Sequence, residues 1–188
     1  MKLKTVILAI MAIYLAIASN ALYARQGGGD ILVLNLVGIG EMYEDEVPDI
    51  DGDGVDDDAI CFDVELFNAE DGRVIGTATD CLSQIENGDN GGLALVGTTY
   101  FYMHHGMLIT RGRTTVQPTN HSTTTPSGQM ITHITGASGT SNAILYGTDR
   151  FADSTGTVRL SGMVDMTYFE GNVGDPIAFD CLFVINLD

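Results

Sequence analysis

Short apolar runs alternate with polar residues along most of this chain, and glycines cut the runs into segments. The clearest case is 60–67, where Phe62, Val64 and Leu66 share one parity and Asp63 and Glu65 the other. That is the period of a half-buried strand. Comparable β-rich segments occur at 31–37, 73–82, 92–104, 107–116, 130–134, 142–146, 156–168 and 177–187. Asn68-Ala69-Glu70-Asp71-Gly72 reads as a hairpin loop, His105-Gly106 as a tight turn, and 118–128 as a Thr/Ser/Pro-rich loop. Beyond the N-terminal residues no segment shows a helical stripe with caps. The pattern therefore predicts an all-β domain, either a sandwich or a barrel. Tyr100, Phe101 and Tyr102 alternate, so one of the two sets faces inward.

The N-terminus departs from this pattern. Lys2 and Lys4 precede an apolar run over 6–18, and Ser19-Asn20-Ala21 follows with small residues. This reads as a secretory signal peptide over 1–21, with cleavage as late as 24. The run falls short of the roughly 20 residues that span a bilayer; an uncleaved anchor is the alternative. The expected organisation is then an N-terminal strand and Asp-rich loop over 22–58 and a β body over 59–188. The expected location is secreted or periplasmic, with no membrane span in the mature chain.

Charge adds to the picture. The chain carries a formal net charge of -17, and loss of Lys2 and Lys4 takes it to -19 and leaves no lysine. Such a surface repels phosphate backbones, so no nucleic-acid partner is expected, and it attracts cations. Solubility alone is the simpler account of the acidity. Ten acidic residues lie between Glu41 and Asp58, centred on Asp49-Ile50-Asp51-Gly52-Asp53-Gly54-Val55-Asp56-Asp57. Calcium takes six to eight oxygen ligands, and aspartates spaced through a glycine-permitted turn can supply them. The stretch resembles the D-x-D-x-D-G-x-x-D pattern of thrombospondin type-3 calcium loops, with Asp49, Asp51, Asp53 and Asp57 in the acidic positions. It is not a full EF-hand loop, because Ile60 stands where a bidentate glutamate is required. A structural calcium is one expectation; an unliganded acidic loop is the other.

Three cysteines leave at least one thiol outside any intramolecular bridge. Cys61 and Cys81 fall nearly opposite each other if their segments pair as a hairpin, a narrow geometry for a bridge. The favoured pairing is Cys61–Cys81 with Cys181 buried; a bridge from Cys181 to either partner, or three buried thiols, are the alternatives. Histidines are expected to be structural: His104 and His105 at a turn, His121 in a loop, His133 in a strand. Arg111 and Arg113 share one strand face and are expected in ion pairs, and Arg150 with Asp149 or Asp153. No Ser-His-Asp spacing, phosphate loop or Cys-x-x-Cys motif is present, which counts against hydrolase, nucleotide and redox chemistry.

One region is more specific. Asn142-Ala143-Ile144-Leu145-Tyr146-Gly147-Thr148-Asp149-Arg150-Phe151, followed by Gly156-Thr157-Val158-Arg159-Leu160-Ser161-Gly162, resembles the allene oxide cyclase and dirigent protein superfamily. There a strand ends in a G-T-G-x-F turn and the next begins after a glycine-bearing step. Here Asp149 replaces the second glycine. Gly72-Arg73-Val74-Ile75-Gly76-Thr77 and the segment 103–112 resemble two further features in the same order. The resemblance implies a closed eight-stranded antiparallel β-barrel, a homotrimer, and a small hydrophobic ligand in the lumen. It also implies isomerase- or cyclase-like steering if the protein is an enzyme, without an organic cofactor; no catalytic residue is carried across. The competing reading is a non-enzymatic, calcium-stabilised structural or cell-surface interaction protein.

Overall fold

The computed structural model describes residues 29–125 and 128–188; the expected signal peptide lies outside them. Ten strands run through the described residues: β1 (Ile31–Glu41), β2 (Tyr43–Val47), β3 (Asp57–Asn68), β4 (Val74–Asn87), β5 (Leu93–Met103), β6 (Gly106–Thr124), β7 (Met130–Ser138), β8 (Ile144–Gly147), β9 (Gly156–Asp165) and β10 (Pro176–Leu187). Hydrogen-bonded neighbours follow the order β1-β10-β9-β7-β6-β5-β4-β3, and β3 returns to β1. The result is the closed eight-stranded antiparallel barrel that the resemblance implies. Strands β2 and β8 stand outside the ring, β2 on β3 and β8 on β6.

Two expectations need correction. The Thr/Ser/Pro-rich stretch is not wholly loop, because β6 runs on to Thr124 and pairs with β7. Its threonines suit a strand, and Pro118 sits next to an irregularity in the ladder between Pro118 and Thr123, where a missing N–H is tolerated. The acidic stretch also contains structure: Tyr43–Val47 forms β2, and β3 begins at Asp57.

The apolar parity of each strand meets inside the barrel. Phe62 packs edge-on against Phe179 at 5.1 Å between ring centroids, and Phe101 against Phe183 at 5.2 Å. Such pairs add about 0.5–1.5 kcal/mol beyond the area they bury. Phe101 thus faces in, while Tyr100 and Tyr102 stack on the outside. A second, smaller core lies on the outer face. There Val47, Ala59, Cys61 and Cys81 are buried, with Tyr43, Ile50 and Tyr100 packed against them. Cys61 and Cys81 are bonded across directly paired positions of β3 and β4, and Cys181 is a free, buried thiol inside the barrel.

The turn after β8 packs against the β5–β6 turn, where the Thr148 and Arg150 N–H groups donate to the Met107 and His105 carbonyls. Gly147 is required by close approach, since a Cβ there would lie 2.1 Å from the Phe151 carbonyl oxygen. Asp149 takes φ 52°, the left-handed region that a glycine occupies without strain. Phe151 is buried in the barrel core, and Arg150 pairs with Asp30 at 2.9 Å rather than with Asp149 or Asp153.

Candidate ligand site in the barrel lumen

Register places four side chains in one inward row. Phe62 on β3 is opposite Asp80 on β4, Asp80 is opposite Thr99 on β5, and Thr99 is opposite Thr110 on β6. All four are buried and line a cavity of about 190 Å³. Its other walls are mainly apolar, with Leu82, Leu95, Phe179 and Phe183 among them. One side is formed by residues 138–143, the break between β7 and β8, both of which pair with β6. Thr135 adds a further hydroxyl, which donates to the Thr115 carbonyl.

Asp80 is the charged group the row places inside. Only 6% of it is exposed, and its Oδ1 accepts one hydrogen bond, from the Thr99 hydroxyl at 2.6 Å. Burial disfavours the ionised carboxyl and pushes it up to about 7, against the smaller opposing pull of the Thr99 hydrogen bond. Cys181 also lies in this interior. Burial first, then the charge of Asp80, pushes its thiol well above the ordinary range. A thiol held in that form is a poor nucleophile.

The acidic loop is separate, on the outside. Carboxylate oxygens of Asp49, Asp51 and Asp53 lie within 4.8 Å of one another, so this exposed cluster could hold a metal ion. Asp49 accepts from the N–H groups of Gly52 at 2.6 Å and Gly54 at 2.8 Å, which lower it below the usual carboxylate range. Asp51 and Asp53 each accept one backbone N–H through Oδ1. Asp57, the fourth residue of the sequence pattern, lies outside the group and receives the Ile50 N–H. Arg111 ties the loop to the barrel: its guanidinium donates to the Pro48 and Asp49 carbonyls and to the Thr98 hydroxyl. It therefore holds carbonyls rather than the expected carboxylate. Arg113 approaches Glu86 at 3.6 Å on the surface.

The histidines stay apart from the lumen row. His104 and His105 contact each other edge-on at the β5–β6 turn. His133 lies in β7 with Nδ1 2.9 Å from the Thr132 hydroxyl; burial lowers it, and the charge of Asp165 partly opposes that. Sequence reasoning missed Asp80, which belongs to no motif. The signal was parity: Ala78, Asp80 and Leu82 alternate with Thr79, Cys81 and Ser83. Once Cys81 turns outward to meet Cys61, Asp80 must face in. Neither the family models nor the curated proteins compared with the chain give a match.

The raised proton affinity of Asp80 has a stability consequence. Unfolded, the carboxyl titrates near 3.8; folded, near 7, so the folded state binds the extra proton between those values. Its contribution is fully present below pH 3.8 and is lost as pH rises through 7. Asp80→Asn carries no charge at any pH. The variant should match the parent near pH 4 and exceed it at pH 8, by at most on the order of 4 kcal/mol. Urea unfolding of both proteins at pH 4, 6 and 8 checks this; a difference that does not change with pH contradicts it.

Proposed function

We propose that the protein is an exported barrel that binds a small, largely apolar molecule of one ring in its lumen. The observation that carries this reading is the cavity itself, about 190 Å³ of largely apolar wall with one buried carboxyl aimed into it. An apolar cavity of about 150 Å³ is enough to take benzene. Ligand sites commonly combine apolar walls with a few polar groups that fix orientation. The resemblance of residues 142–162 to the allene oxide cyclase and dirigent barrels supports the same reading. In that setting, any cyclisation or isomerisation is steered by confining one reactive conformer. The Cys61–Cys81 bridge is consistent with an oxidising compartment and so with export. Toluene, followed by methyl NMR, tests the reading. It should shift the Leu82, Leu95 and Val116 methyls and raise the melting temperature. No shift, or shifts confined to the outer face, contradict it.

A second reading concerns the acidic loop, and the convergence of Asp49, Asp51 and Asp53 favours it. An all-oxygen, carboxylate donor set suits calcium, with water and backbone oxygens completing the shell. The ion would neutralise mutual repulsion and pin the segment that roofs the disulfide. Its role is then structural. Calorimetric titration with calcium should show binding and a higher melting temperature, and Asp51→Asn with Asp53→Asn should weaken that binding at least tenfold. Absence of heat together with an unchanged melting temperature contradicts the assignment.

A further inference from the structure

The lumen carboxyl lacks a counter-charge. Asp80 receives a single hydrogen bond, and the ion pairs of the described residues, Arg73–Asp71, Arg113–Glu86 and Arg150–Asp30, are all on the surface. Arg111 and Arg113 also line the cavity, but the Arg111 guanidinium is engaged by the Pro48 and Asp49 carbonyls and the Thr98 hydroxyl, and that of Arg113 approaches Glu86 on the surface. A buried carboxylate without a cation is costly, and a partner that brings both charge and hydrogen bonds removes most of that cost. We propose that the lumen takes a small ring compound bearing one protonated amine, with the Asp80 carboxylate as its counter-ion and Thr99 holding that carboxylate in place. This assignment rests on the lumen-binding reading and narrows its ligand.

One feature beyond Asp80 supports a cation. Leu82 lines the lumen and also an adjoining groove at the upper rim, which Glu44, Glu46 and Asp58 line as well. Register puts Glu44 opposite Ile60 and Glu46 opposite Asp58, so these acids share the face of β2 and β3 that carries Ile60 and, further along β3, Phe62. Such a rim raises the local concentration of cations and repels carboxylates. Volume sets the size of the ligand. A cavity of about 190 Å³ takes one substituted ring and leaves no room for a long acyl chain. The groups facing Asp80 from the packed strands are Phe62 on β3, Thr99 on β5, Thr110 on β6 and Cys181 on β10. Of these only Cys181 titrates, and its thiol stays neutral across the range tested below.

Calorimetry with benzylamine, benzyl alcohol and toluene at pH 5.5 and pH 8 tests the proposal. Benzylamine should bind at least tenfold more tightly than benzyl alcohol at pH 8. Its affinity should rise roughly 30-fold from pH 5.5 to 8, because only the ionised fraction of a carboxyl near 7 is competent for the pair. Toluene affinity should stay flat or fall. Asp80→Asn should abolish the advantage of benzylamine and keep toluene binding; if that variant does not fold, the pH series on the parent protein decides. If toluene binds but benzylamine gains nothing over benzyl alcohol, the amine assignment fails and the lumen reading stands. If none of the three binds, both fail.

Discussion

Closure of the sheet by β1 is the constraint on which the rest of the structure depends. Four paired positions, Leu34–Val37 against residues 65–68, join β1 to β3 and complete the ring. Without them the sheet would keep two long edges and an open, wet face. Past Val37 the hydrogen-bonded ladder ends, although β1 stays close to β3. A Cβ at position 40 would lie 2.8 Å from the Phe62 Cβ, so glycine there lets β1 cross close over β3. The upper half of β3 is thereby left free to pair with β2.

That division of β3 between two partners gives the protein two interiors of different character. Inside, closure buries the row Phe62, Asp80, Thr99 and Thr110, and burial raises the proton affinity of the carboxyl in it. Outside, β2 and the acidic loop roof a small core around the Cys61–Cys81 bridge. A single strand touches both. Thr110 of β6 lines the lumen, and the next residue, Arg111, holds the loop carbonyls on the outer face. The alternation of a strand is what lets neighbouring residues serve opposite sides of one wall.

The sequence made the barrel strands readable because their apolar parity is regular, as in Phe62, Val64 and Leu66. It concealed β2, because Tyr43–Val47 carries acidic residues and pairs only along its length with β3. It concealed the extension of β6, because Thr/Ser/Pro composition suits loops and exposed strands alike. Aspartate spacing was enough to bring Asp49, Asp51 and Asp53 together, whereas the position of Asp57 depends on a backbone contact with Ile50. Asp80 was hidden for a different reason. Its importance comes from the side chains that β3, β5, β6 and β10 bring around it in the closed barrel, Phe62, Thr99, Thr110 and Cys181, none of them a cation, and that is a property of tertiary pairing.

The central claim is that the closed lumen holds one carboxyl buried and without a counter-charge. Carboxyl carbon NMR of Asp80, assigned by comparison with Asp80→Asn, measures this directly through a pH titration of the free protein. The account predicts a midpoint near 7, far above the ordinary 3.8. A midpoint near 4 would contradict it, showing that water or a cation already reaches the group.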